Sequence, residues 1–173
     1  MIGNDIVDLI QCKAESNWQR KGWLHKLFSE QEIACIEQSR SPETTVWLYW
    51  SMKEAAYKIY NRMSGKANFA PSKFICNNNS WTENKVEGYV KFNNETYFTQ
   101  SNISKDYIHS VAKIDPFQSI QCLISIDLKN IDMPCHYSLH KDNNGLPYLL
   151  NNSTGVTHIA SKSHHGRFQA LVY

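Results

Sequence analysis

The 173-residue sequence lacks a long apolar run, a C-x-x-C pair and any marked imbalance of charge. The first lack argues against a membrane-spanning helix, which needs about 20 consecutive apolar residues. The second, with five scattered cysteines (Cys12, Cys35, Cys76, Cys122, Cys135), argues against a disulfide framework and for reduced thiols in the cytoplasm. The third, a formal net charge of +2, leaves no global basic field for nucleic acid. The opening MIGNDIVDLIQ has no basic leader, and Asp5 and Asp8 break its apolar run, so neither a signal nor a transit peptide is expected. Repeats and low-complexity linkers are missing too. What is present, 42% hydrophobic residues over this length, suits one domain of residues 1–173 or two small lobes sharing a core.

The pattern along the chain puts helices first and strands later, which defines the α+β class. IGNDIVDL reads as a short strand, and Asp8 with Gln11 as a capping box that starts a helix. The stretch 17–40 has a helical pattern, restarted after Phe28 by the box of Ser29 and Glu32. Residues 41–65 are the strongest helix, with Ser41 as N-cap, Pro42 in the first turn and Gly65 as the stop. Beyond Gly65, NNNSWTEN and FNNE read as turns around a hairpin of KVEGYVKF and ETYFTQS. DYIHSVAKI and QCLISIDL read as further strands and KDNNGLPYLL as a turn. VTHIASKSHHGRFQALVY reads as strand, polar loop and terminal strand.

Three clusters carry chemistry. On the long helix, residues four apart share a face, so Trp50, Glu54 and Lys58 form one stripe with Lys53 and Tyr57 beside it. Alone, this is a solvated Glu–Lys pair. The rings of Trp47, Tyr49, Trp50 and Tyr57 imply partial burial, however, and a part-buried glutamate needs a partner or a metal. In the first strand Asp5 is an acid among apolar residues, and Asp5 with Glu54 can share a hard cation such as Mg²⁺. Asp8 is better explained as a helix cap. In SKSHHGRFQ, hydroxyls, imidazoles and cations crowd around Gly166, which suits either phosphate oxygens or a plain polar turn. A fourth group, CHYSLHKD, would place His136 and His140 as a zinc pair beside Cys135 if it were helical, but Pro134 and the following turn argue against a helix there.

IGNDIVDL, WSMKEAAYK and SKSHHGRFQA together resemble the 4′-phosphopantetheinyl transferase superfamily, and their order is similar to that of the small holo-acyl-carrier-protein synthases. WLHKLFSEQE resembles the phenylalanine-plus-acid segment found between the first two motifs. The likeness covers roughly residues 1–65 and 145–173 and leaves 66–144 unaligned. It implies a fold with a long helix packed on an antiparallel sheet. It also implies transfer of 4′-phosphopantetheine from coenzyme A to a serine of an acyl or peptidyl carrier protein, serving fatty-acid, polyketide or peptide synthesis. By position, Asp5 matches a Mg²⁺ ligand, and Glu54 a second ligand that orients or deprotonates the serine. Lys58 matches the lysine that stabilises the departing phosphate, and Ser163 and His164 match the Ser-His contact to coenzyme A phosphate.

The carrier in that family is typically acidic, which makes Arg20, Lys21 and Lys26 the candidate docking residues. Two departures stand out. Val7 occupies the place of a second acid in the larger, two-lobed relatives, and Lys162 replaces an apolar residue between the hydroxyls of the last motif, adding a phosphate contact. The length lies between those of the small trimeric enzymes and the two-lobed monomers, so a homotrimer with shared sites and a self-contained monomer both remain open. A Mg²⁺-dependent phosphoesterase or nuclease would use the same acids with His164 as proton donor. A non-catalytic coenzyme-A- or carrier-binding module would have lost Glu54 or Lys58, and both are present.

Overall fold

The computed structural model describes residues 1–126 and 131–173. Strand β1 (Ile2–Asp8) is followed by helices α1 (Leu9–Glu15), α2 (Trp23–Leu27), α3 (Glu30–Gln38) and α4 (Pro42–Ser64). After a 3-10 turn at Pro71–Lys73 come β2 (Ile75–Trp81), β3 (Lys85–Phe92), β4 (Glu95–Ile103), β5 (Tyr107–Lys113) and β6 (Cys122–Ser125). The chain closes with β7 (Tyr137–Lys141), β8 (Pro147–Asn151), β9 (Thr157–Ile159), β10 (Ser161–His165) and β11 (Phe168–Val172). The result is the expected α+β fold, a long helix on an antiparallel sheet.

The main sheet has the order β1-β5-β4-β3-β2, with every neighbouring pair antiparallel. Helix α4 lies across one face of it. Val46, Leu48, Met52, Ala55, Ala56 and Ile59 of the helix and Val86, Val90, Tyr97, Ile108 and Ala112 of the sheet are buried in one core. Strand β1 is covered on both faces, as its near-continuous burial shows. The period of two sends Gly3 and Val7 toward α4 and Asn4 and Ile6 toward β10 and β11. Gly3 is required at its place, because a Cβ there would lie 2.1 Å from the Ala55 carbonyl oxygen. Two smaller sheets, β10-β11-β6 and β7-β8-β9, complete the molecule.

Several expectations need correction. The Asp8 cap is present, its Oδ1 accepting from the N–H groups of Ile10 (2.9 Å) and Gln11 (3.3 Å). Gln11 does not close the box but turns to Glu15, and the Asp8 N–H goes to His165 Nδ1 (2.9 Å). Residues 17–22 form turns and not helix, with Gly22 left-handed at φ 76°. The box of Ser29 and Glu32 is complete. Ser41 turns its hydroxyl to Thr44 (2.7 Å), while Pro42 and the left-handed Gly65 stand as expected at the two ends of α4. NNNSWTEN is mostly strand β2, whose register shifts between Asn78 and Ser80. The polar loop SKSHH is strand β10. The QCLISIDL strand is present as β6, and its last two residues lie outside the described ones.

Candidate active site

Asp5 sits in the middle of β1. Lys58, on α4, donates to its Oδ1 at 3.3 Å and to the Asn4 carbonyl at 2.6 Å. Burial raises the Asp5 carboxyl above its usual range, and the Lys58 charge offsets part of that. One turn before Lys58, Glu54 opens into a cavity of about 480 Å³ that Asp5 also lines. Trp50, Trp47, Trp23 and Leu27 form its apolar wall, and His164 and His165 close it. The expected stripe is indeed half-buried at Trp50, Glu54 and Lys58.

Glu54 accepts no hydrogen bond and forms no ion pair among the described residues. Its carboxyl is pushed up to about 7, chiefly by burial and then by the Asp5 charge, with Lys58 pulling the other way. Two mutually repelling oxygen-donor side chains lining one cavity fit a hard divalent cation, with water and phosphate oxygens in the other positions. Among the described residues no third His, Cys, Asp or Glu joins them. Asp8 is unsuited to that role. Its Oδ2 accepts from the backbone N–H (2.9 Å) and Nε (2.8 Å) of Arg167, and its Oδ1 from Arg167 Nη2 (2.9 Å). These bonds hold its carboxyl well below the usual carboxylate range.

Strand β10 presents its residues alternately. Lys162 and His164 are exposed, whereas Ser161 and Ser163 face inward. Ser163 accepts from Asn4 Nδ2 (3.0 Å), and Ser161 donates to Asn4 Oδ1 (2.9 Å) and accepts the Asn4 N–H (3.1 Å). Asn4 Nδ2 also meets His109 Nε2 at 3.2 Å. The hydroxyl expected to meet phosphate therefore serves a junction inside the protein. Lys162 and His164 line a second cleft of about 510 Å³ with His140 and Lys141, and Lys162 shares a smaller one with Lys58 and Arg62. His164 borders both large cavities. Arg20, Lys21 and Lys26 are exposed around α2, whose Trp23 and Leu27 form the cavity wall.

Sequence reasoning gave Asn4 no role, counted His165 only as one imidazole of the SKSHHGRFQ cluster, and missed the burial of Lys53. A polar residue at the inward phase of β1 was the available signal for Asn4. His165 accepts the Asp8 N–H and lies 3.4 Å from Glu15. In CHYSLHKD, residues Tyr137–Lys141 form strand β7, in line with the argument against a helix there, and His140 pairs with the Ser138 hydroxyl (2.8 Å).

The geometry defines an α+β protein in which Asp5 and Glu54 line one aromatic-walled cavity. The chain belongs to the 4′-phosphopantetheinyl transferase superfamily, whose family model matches residues 1–112, from β1 to the end of β5. It is therefore a transferase of phosphopantetheine in the general sense of that superfamily. The match includes Asp5, Glu54 and Lys58, while β10 lies beyond it. No curated protein matches the chain.

Proposed function

We propose that this chain, acting as one domain in the cytoplasm, is a transferase of the holo-acyl-carrier-protein synthase type. It moves 4′-phosphopantetheine from coenzyme A to a serine hydroxyl of an acidic acyl or peptidyl carrier protein and releases 3′,5′-ADP. The observation that carries this reading is one cavity lined, within one chain, by Asp5, Glu54 and His164.

The serine oxygen attacks the phosphorus that bears pantetheine, and the bond from that phosphorus to the 3′,5′-ADP oxygen breaks. Such a transfer asks the protein for positioning and charge neutralisation. Glu54, lining the cavity with Asp5, is suited to take the serine proton. Lys58 and Lys162, on one small cleft, face charge developing on the departing phosphate. His164 borders the nucleotide side, and Ser163 holds its strand through Asn4. Asp5 and Glu54 would hold a Mg²⁺ ion, which supplies Lewis acidity at the diphosphate when bound. Arg20, Lys21 and Lys26 would meet the acidic carrier. A homotrimer is not needed to bring the site residues together.

Incubation with coenzyme A, Mg²⁺ and an apo carrier, followed by intact mass of the carrier, tests the reading. A gain of one phosphopantetheine, abolished by Glu54→Ala, is the expected result. No gain across fatty-acid, polyketide and peptide-synthesis carriers refutes it, and nucleotide cleavage without a carrier would favour a phosphoesterase.

A further inference from the structure

Lys53 immediately precedes Glu54 on α4 but leaves the helix in another direction. Its side chain is fully buried, at 0% exposure, and Glu32 opposite is 2% exposed. The ammonium donates to the Leu27 carbonyl (2.9 Å), the Pro71 carbonyl (3.0 Å) and Glu32 Oε2 (2.9 Å), which uses all three of its protons. It also lies 4.9 Å from the Phe28 ring centre. Glu32 is equally committed, its Oε2 accepting the Ser29 N–H and its Oε1 the Cys76 N–H, both at 2.8 Å. One satisfied ion pair thus ties the end of α2, the start of α3, the 3-10 turn and β2 to α4.

Helix α2 depends on this attachment. It has five residues, and Gly22 at its N-cap offers no side-chain bond. So short a helix does not persist on its own propensity. Leu27 O is among the carbonyls a helix end leaves without an intrahelical partner, and Lys53 supplies that partner. Trp23 packs edge-on against Trp47 at 5.9 Å, and Trp23 and Leu27 then form the wall of the cavity that holds Glu54.

We infer that Lys53, paired with Glu32, is a positioning residue: it fixes α2 as the wall of the Glu54 cavity and so sets how the carrier meets Glu54. It touches neither substrate. To reach a phosphate it would have to abandon three acceptors and leave Glu32 charged and unpaired, which is strongly unfavourable in a buried site. The inference rests on the transfer reading above, because it assigns α2 to the carrier side.

The test uses the double variant Lys53→Met/Glu32→Gln, which leaves no buried charge unpaired and so protects the fold. Three quantities are measured: coenzyme A affinity by calorimetry, KM for each substrate, and amide exchange of residues 23–28. The expected result is unchanged coenzyme A affinity, faster exchange at Leu27 and Phe28 than in α3 or α4, and a carrier KM raised about tenfold or more. Loss of coenzyme A affinity with α2 still protected would make Lys53 a phosphate ligand and overturn the inference. Lowered thermal stability with both KM values unchanged would also overturn it. If the native protein modifies no carrier, the transfer reading fails, and the exchange experiment still decides whether Lys53 holds α2.

Discussion

Replacing Glu54 with glutamine should make the metal-free protein more stable at pH 8 while abolishing transfer. The folded protein holds the Glu54 carboxyl at about 7 against an ordinary 4.5. Between those values the folded state binds a proton that the unfolded chain releases, so the Glu54 contribution to stability falls as pH rises and its loss is complete above about 7. At about 1.4 kcal/mol per tenfold change in proton affinity, and reduced somewhat for the access of water to the cavity, the penalty above pH 7 is about 2–3 kcal/mol. Glutamine keeps the shape and removes the charge. For a chain of this size the gain is about 5–10 °C in Tm at pH 8. At pH 5 Glu54 is protonated in the folded protein, and the pH lies only just above the ordinary 4.5 of the unfolded chain, so the two melting temperatures should lie within about 3 °C of each other. Added Mg²⁺ should raise the Tm of the native protein at pH 8 and leave that of the variant unmoved. Thermal melts followed by circular dichroism at the two pH values decide the matter. A glutamine variant with no advantage at pH 8, or with the same advantage at pH 5, would refute the claim that Glu54 is strained by burial beside Asp5.

Three further outcomes follow from the same geometry. Mixing Glu54→Ala with His164→Ala should restore no activity, since one chain supplies both residues to the cavity; recovery on mixing would show sites shared between subunits. Charge reversal at Arg20 and Lys21 should raise KM for the carrier several-fold and leave that for coenzyme A alone, and unchanged kinetics would remove them from docking. Gly3→Ala should cost about 1–3 kcal/mol or more in chemical denaturation, because the new Cβ meets the backbone oxygen of Ala55 and not a flexible side chain. It should also weaken Mg²⁺ binding by pushing β1, with Asp5, away from Glu54, and native stability would refute the close approach.

The parts of the molecule legible in the sequence are those where local chemistry and tertiary packing agree. Helix α4 has Pro42 in its first turn, Gly65 at its stop and an apolar face between them, and all three act as the sequence suggests. Asp5 stands out because an acid in a strand built for burial needs a partner. The errors arose where packing overrode local signals. The Asn run at 77–79 has turn chemistry, yet Asn77 and Asn78 pair with β3, where Gly88 leaves room for the Asn77 carbonyl that a Cβ would approach within 2.2 Å. SKSHH contains good turn formers, but its period of two puts Ser161 and Ser163 inside, where Asn4 satisfies both hydroxyls. A polar strand of this kind is visible in sequence only if its distant buried partner is known.

The two lysines of WSMKEAAYK show the same limit at the site itself. Five residues apart on one helix, Lys53 and Lys58 point about 140° apart around its axis. That separation follows from helix geometry, which does not say which lysine meets the site; only the family resemblance singled out Lys58. The choice is made by Glu32, which the capping box of α3 fixes beneath α4, and by Asp5, which β1 brings to the other side. Each lysine therefore has its own carboxylate, and among the described residues Glu54 is left without a cation within ion-pair distance. An unpaired, half-buried acid beside a paired one is an unstable arrangement for a fold. In the transfer reading proposed above, a Mg²⁺ held by Asp5 and Glu54 would supply that missing positive charge.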